Sequence, residues 1–185
     1  MDSSIGGKTG VDLNSGKNLV GSFYQPEFVL SDVETLTTLP QRQLISGWAE
    51  ALKHGLIRDE GLIDEFEKNV KGVLNLDKEI TTELIKRSLN IKAKVVSSDE
   101  HELLGARIML NYGHTIGHAI EKVTKFKKYL HGEAVSIGMM VSIYISLNLG
   151  LVNMDSVKRQ KNILNSYGLP TNDKNLNAEE LIEAI

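Results

Sequence analysis

The sequence predicts an α+β chain that is mostly α, with a short β-rich segment ahead of a helical domain. Residues 1–40 hold Gly6, Gly7, Gly10, Gly16 and Gly21 around the short β-type runs Leu19-Val20 and Phe28-Val29-Leu30, the composition of strands separated by turns. After Pro40 the apolar residues recur at helical spacing almost throughout. The size suits this picture: 185 residues with 41% apolar and 24% charged side chains make one or two domains with a real core.

The elements follow in order. Pro40 suits a first helical position, Thr38 its cap and Gly55 its end. A second helix covers Glu60 to Leu74, and a third sets Ile80, Leu84, Ile91 and Val95 on one face through about Ser97. Further helices start near His114, His131 and Asp155, the last ending at Gly168 with Pro170 beyond. From Ala134 to Asn153 no residue is charged, about the length a membrane span needs. A buried helix is the favoured reading, because Ser136, Ser142, Ser146 and Asn148 weaken an insertion signal. The β segment poses a separate problem. A two-stranded hairpin is marginal in water, so it reads as the end of a sheet whose other strands lie outside this chain. The sequence reads as a fragment.

Composition excludes several functions. With 21 Lys and Arg against 24 Asp and Glu the net charge is −3, which gives no general attraction for nucleic acid or anionic membranes. The absence of cysteine excludes disulfides, thiolate metal sites and Cys nucleophiles, and fits a reducing compartment. The first eight residues lack the apolar run of a signal peptide. The cytoplasm is the default location.

Four segments carry chemistry. Asp2 to Thr9 approximates a P-loop, but Asp2 stands where the first glycine belongs and no strand precedes it. The open amides of Gly6 and Gly7 beside Lys8 still suit an anion, and a tight turn is the plainer alternative. In Asn111-Tyr112-Gly113-His114-Thr115-Ile116-Gly117-His118 the two histidines are four apart, on one helical face. With His131, three of the five histidines fall within 18 residues, which raises a metal site to equal standing with the structural role usual for a lone histidine. Spacing leaves open which two bind and which one moves protons. Glu50 lies in an apolar helical stretch, Trp48-Ala49-Glu50-Ala51-Leu52-Lys53. Its charge needs either a metal or Lys53 as partner. Two histidines and a glutamate suit zinc or a similar ion. The fourth segment, Asp99-Glu100-His101-Glu102 with Gly105-Ala106-Arg107, and the nearby Lys92 and Lys94, would alone read as a solvated face.

Together these segments resemble the 3-dehydroquinate synthases of the sugar phosphate cyclase family. The matching blocks are Asp2 to Gly10, Gly16-Lys17-Asn18-Leu19, Leu39-Pro40, Ala49-Glu50 with Lys53, Leu110 to Thr115 with Gly117-His118, and His131-Gly132-Glu133. They run in order along residues 1 to about 150. The resemblance implies a Rossmann-type NAD domain, of which residues 1–40 are the last β-rich remnant, and a helical metal- and substrate-binding domain over 41–185. The NAD phosphate turn would lie upstream, and a short tail carrying a further lysine downstream.

Carried over by position, the resemblance makes Glu50, His114 and His131 the ligands of one divalent metal, zinc or cobalt. It makes His118 and Glu102 proton-transfer groups, with Lys53, Lys92, Arg107 and Asn111 also catalytic. Substrate contacts would come from Asp2, Lys8, Asn18, Lys53, Lys92, Arg107 and Asn111. NAD would touch Lys8, Lys17, Thr35, Leu36, Thr37 and Thr38. The chain departs from the family at Glu102-Leu103-Leu104-Gly105-Ala106-Arg107, one residue longer than the usual Glu-x-Gly-x-Arg. In a helix this would turn Glu102 by about 100°, which makes Glu100 its fallback.

The implied reaction belongs to the shikimate pathway. It converts 3-deoxy-arabino-heptulosonate 7-phosphate to 3-dehydroquinate, with NAD recycled and phosphate released, in a cytoplasmic homodimer. The rivals are another cyclase such as 2-deoxy-scyllo-inosose synthase, a glycerol-dehydrogenase-like metal alcohol dehydrogenase, and a non-catalytic helical module.

Overall fold

The computed structural model describes residues 1–13, 16–100 and 102–185, the side chains of residues 12 and 16–19 excepted. Strands β1 (Lys8–Leu13) and β2 (Gly16–Phe23) pair antiparallel, Lys8 opposite Phe23 and Val11 opposite Val20. Helices follow: α1 (Gln41–Arg58), α2 (Glu60–Lys68), α3 (Val70–Leu74), α4 (Lys78–Ser98), α5 (His114–Val123), α6 (His131–Asn148), α7 (Met154–Ser166) and α8 (Ala178–Ala184). Short 3-10 turns cover Asp2–Ser4, Val33–Thr38 and Ala106–Asn111. The mostly helical class expected from the sequence holds.

Several boundaries differ from expectation, each for a local reason. Pro40 is the N-cap of α1 and not its first residue. The Thr38 hydroxyl does not cap that helix; it donates to the Thr35 carbonyl at 2.8 Å. The helix runs past Gly55, whose bare Cα lets α2 close in: a Cβ there would lie 2.7 Å from Ile63 Cδ1. The expected second helix is two, broken at Asn69, whose side-chain amide donates to the Glu65 carbonyl at 2.9 Å. Phe28-Val29-Leu30 forms no strand, and Phe28 and Leu30 are exposed. The strand Lys8–Leu13 and the helix α8, capped by Asn177, were not anticipated.

The central helix is α6. Its faces meet α5, α1 and α7, which is why it is apolar all round. The hydroxyls of Ser136, Ser142 and Ser146 bond to the carbonyls of Pro170, Gly138 and Ser142 at 2.8, 3.0 and 3.0 Å, so its polar groups are satisfied inside the fold. Among the described residues no helix is long and apolar enough to cross a membrane. The core beside it stacks Trp48 edge-on against Phe66 and Phe66 edge-on against Tyr167, with centroids 6.0 and 5.7 Å apart.

Candidate metal centre and anion cluster

Two glycines set the centre. Gly132, second in α6, lies on α1 so closely that a Cβ would fall 1.9 Å from the Ser46 carbonyl oxygen. This carries His131 to Glu50, one helical turn beyond Ser46. Gly138 rests in the same way on Gly113, a Cβ there falling 1.9 Å from the Gly113 carbonyl oxygen. Gly113 itself takes φ +80 before α5, a conformation that suits glycine, and His114 follows it directly. Glu133 accepts the Leu130 amide at 2.8 Å and is gripped by Arg42 at 2.6 and 2.7 Å, which fixes the start of α6.

These contacts bring Glu50, His114 and His131 together. Glu50 Oε1 lies 3.3 Å from His114 Nε2 and 3.6 Å from His131 Nε2. That oxygen is buried and has no hydrogen-bond partner among the described residues. The other oxygen, Oε2, accepts from the buried Lys53 ammonium at 2.6 Å. Lys53, one of the two partners expected for Glu50, thus takes one oxygen, and the other is left facing the two ring nitrogens. Each imidazole offers Nε2 because Nδ1 is engaged: His114 Nδ1 faces the Tyr112 carbonyl at 3.3 Å and His131 Nδ1 faces Glu121 at 3.4 Å.

The electrostatics fit a cation. Burial opposes a charge on Glu50, but the His114 and His131 imidazoles and the Lys53 ammonium outweigh it and hold its carboxyl well below the usual range. Glu121 and Glu50 push the His131 imidazolium up to about 9. A buried oxygen without a donor, facing two ring nitrogens, matches the donor set of a zinc or cobalt ion with positions left open. The His118 ring lies beside both, centroids 5.4 Å from His114 and 5.9 Å from His131.

The remaining expected residues form two further groups. Lys92 Nζ bonds the Asp2 carbonyl and carboxylate at 2.6 and 2.8 Å. Oxygens of Asp2 and Glu50 and a ring nitrogen of His54 lie within 4.8 Å of one another, so Asp2 and Lys92 adjoin the metal centre. Lys8 and Arg107 both meet Glu102, at 2.6 and 3.1 Å, while Arg107 also reaches the Gly6 carbonyl at 3.4 Å. Glu102, not Glu100, faces these cations. The segment is not helical, so the expected rotation does not arise; the extra residue is absorbed by positive φ at Glu102 and Gly105. Asn111 is exposed at the end of its 3-10 turn.

Leu36 edges an apolar cavity of about 290 Å³ that Asp2, Leu39, Trp48, Glu50 and His131 also line. The hydroxyls of Thr35, Thr37 and Thr38 bond within their own turn, to the carbonyls of Asp32, Glu34 and Thr35. The side chains of Lys17 and Asn18 lie outside the described residues.

Three participants were not foreseen. Asp99 accepts the amides of Leu103, Leu104 and Ala106 at 2.8, 3.0 and 3.0 Å, and so shapes the loop that carries Glu102. His54 is fully buried, its Nδ1 on Ser88 Oγ at 2.8 Å, and burial with the nearby Lys53 charge pushes it down to about 4. Glu121 is buried on α5. Like Glu50, Glu121 is a carboxylate inside an apolar helical stretch, and that is the signal by which the sequence marks it.

Comparison with known proteins agrees with this layout. Residues 47–185 match the 3-dehydroquinate synthase C-terminal family model and residues 1–46 the 3-dehydroquinate synthase N-terminal model. A 3-dehydroquinate synthase of Prochlorococcus marinus is 47% identical over 184 residues, covering 98% of this chain and 50% of the relative. One of Thermodesulfovibrio yellowstonii is 49% identical over 172 residues, covering 93% and 48%. The chain spans about half the length of the curated relatives it matches. Among solved structures, the 2-epi-5-epi-valiolone synthase of Streptomyces hygroscopicus, with NAD+ and Zn2+ bound, superposes with a TM-score of 0.87 at 27% identity over 99% of this chain and 51% of that one. A 2-deoxy-scyllo-inosose synthase complexed with carbaglucose-6-phosphate, NAD+ and Co2+ gives 0.81 at 31% identity over 99% and 50%. The sequence match, the fold and the arrangement of the histidines converge: the chain belongs to the 3-dehydroquinate synthase family.

Proposed function

We propose that this chain is the metal- and substrate-binding half of a 3-dehydroquinate synthase, a lyase that turns 3-deoxy-arabino-heptulosonate 7-phosphate into 3-dehydroquinate and phosphate in the shikimate pathway. The observation that carries the reading is the meeting of Glu50 Oε1 with His114 Nε2 and His131 Nε2, in a chain whose curated relatives bear that enzyme's name. Residues 1–40 are the remnant of an NAD domain and 41–185 the helical domain. We place the enzyme in the cytoplasm as a homodimer.

Glu50, His114 and His131 would hold the metal. The bound metal supplies a Lewis acid for a substrate oxygen, and NAD supplies an acceptor and donor of hydride. Lys53 neutralises the second Glu50 oxygen and keeps that carboxylate oriented. His118, beside the ligand rings but not among the ligands, moves a proton at the substrate. Lys8 and Arg107 hold the phosphate and carboxylate of the sugar acid, Arg107 by its planar fork. Glu102, which joins them here, is the second proton-transfer group. Asp2, Asn18, Lys92 and Asn111 add polar contacts. The cavity beside Leu36 takes a ring-sized group of the cofactor, and Lys17 and Thr35 to Thr38 supply further cofactor contacts; the rest of a dinucleotide needs more protein than this chain contains.

Another sugar phosphate cyclase is the second reading, favoured by the likeness to the two solved synthases. The full-length protein containing this chain decides between them. Phosphate release from 3-deoxy-arabino-heptulosonate 7-phosphate, without net NADH, is the expected result. Release only from a hexose 6-phosphate would sink the first reading in favour of the second, and stoichiometric NADH would point to an alcohol dehydrogenase.

A further inference from the structure

We infer that Glu121 is a positioning residue of the metal centre: it holds the Nδ1–H of His131 and thereby commits Nε2 of that ring to the metal. The inference rests on Glu50, His114 and His131 as the ligands. It concerns a residue for which the sequence suggested no role.

His131 sits between two carboxylates. Its Nε2 lies 3.6 Å from Glu50 Oε1 and its Nδ1 lies 3.4 Å from Glu121 Oε2. Two groups of metal-capable side chains therefore share this ring, Glu50 with His114 on one side and Glu121 with His118 on the other. As a metal ligand the ring is neutral, with one lone-pair nitrogen and one N–H, so His131 gives its lone pair to one group or the other.

His114 decides which. Its Nδ1 faces a backbone carbonyl at 3.3 Å, and a carbonyl only accepts, so Nδ1 carries the proton and Nε2 the lone pair. That lone pair points at Glu50 Oε1, itself an acceptor with no donor among the described residues. Two acceptors 3.3 Å apart in a buried site need a positive charge between them. The ion thus belongs on the Glu50 side, and His131 joins it through Nε2. The proton left on Nδ1 then meets the buried Glu121 carboxylate, whose Oε2 lies 3.4 Å away. With the ion on the Glu50 side this tautomer serves both carboxylates, whereas the reverse one would turn an N–H toward the ion and a lone pair toward Glu121. An acceptor behind a ligating histidine fixes its orientation and raises its basicity.

The test is a zinc titration by calorimetry on the full chain, its Glu50→Ala, Glu121→Ala and Glu121→Gln variants, with nitrogen-15 histidine NMR of the zinc-loaded chain. Expected are one zinc per parent chain, a loss of about 10–100-fold in affinity for Glu121→Ala, and near-parent affinity for Glu121→Gln, whose amide oxygen still accepts. In the spectrum, His131, assigned through a His131→Ala variant, should carry its proton on Nδ1 and the metal on Nε2. Two zinc ions per chain, one of them lost in both Glu121 variants, would make Glu121 a ligand and overturn the inference. So would metal on Nδ1, or parent affinity in a folded Glu121→Ala. If that variant fails to fold, Glu121→Gln and the tautomer still decide. Unchanged zinc binding by Glu50→Ala would instead overturn the ligand assignment itself.

Discussion

The Gly132 amide donates to the Ser46 hydroxyl at 3.0 Å, and the Cα of Gly132 rests on the Ser46 carbonyl. This contact seats α6 on α1 and puts His131, the residue before Gly132, beside Glu50. There is no room for a methyl group. Gly132→Ala strikes backbone rather than a movable side chain, where overpacking costs about 1–3 kcal/mol or more. A melting point lower by about 5–10 °C is expected at this chain length, together with weaker zinc binding. A variant that melts and binds zinc like the parent would show that the helices slide apart without disturbing the centre.

The ligand assignment makes a sharp contrast within one cluster. Glu50→Ala, His114→Ala and His131→Ala should each lose zinc by at least about 100-fold, roughly 2.7 kcal/mol. His118→Ala should keep it, although its ring centroid lies 5.4 and 5.9 Å from the two ligand rings, which are 5.2 Å from one another. In the full-length enzyme the same His118 variant should lower turnover strongly. Loss of stoichiometric zinc from His118→Ala, measured by elemental analysis, would reverse the roles of His118 and one of the other two rings.

Much of this site is legible before any coordinates. The histidine spacing names the right faces, because residues four apart on a helix must share one. Glu50 stands out because a carboxylate in an apolar stretch demands a partner. Other features depend on contacts between distant segments. Phe28-Val29-Leu30 has strand composition yet forms no strand; β-propensity reports fit to a half-buried pleat, and these side chains are largely exposed. The seven residues of α8 are too few for a period to declare itself. Glu121 carries the same signal as Glu50, but its contact with His131 forms only once α5 lies against α6. The extra residue before Gly105 looks disruptive in a helical reading; in the loop the chain forms, where Asp99 collects three amides, Glu102 meets Lys8 and Arg107.

Lys53 is buried against Glu50, and its removal strands a carboxylate. Replacing Lys53 by Met keeps the aliphatic packing and deletes the charge. Breaking one side of a buried pair costs about 3–5 kcal/mol, so the metal-free variant should melt about 10 °C or more below the parent. Zinc should restore part of that loss, since a cation on Oε1 neutralises the same carboxylate. Calorimetric melts with and without zinc check this: a larger zinc-induced shift in Lys53→Met than in the parent is the expected sign, and an equal shift would mean that Lys53 and the metal site are uncoupled.

Asp99 gives the fold an acid-sensitive element near the anion cluster. The amides of Leu104, Leu103 and Ala106 hold its carboxyl below the usual range. A group whose folded pKa is depressed stabilises the native state above its unfolded value, near 3.9 for aspartate, and that contribution fades as the pH falls through the folded value. Asp99→Ala should therefore melt below the parent at pH 7, and the gap should narrow steadily below about pH 4. Because the same three amides shape the loop that presents Glu102 to Lys8 and Arg107, Asp99→Ala in the full-length enzyme should raise KM for the phosphorylated substrate while zinc content stays at the parent level. A gap in melting temperature that widens in acid, or a loss of zinc with KM unchanged, would place the action of Asp99 on the metal centre rather than on the loop.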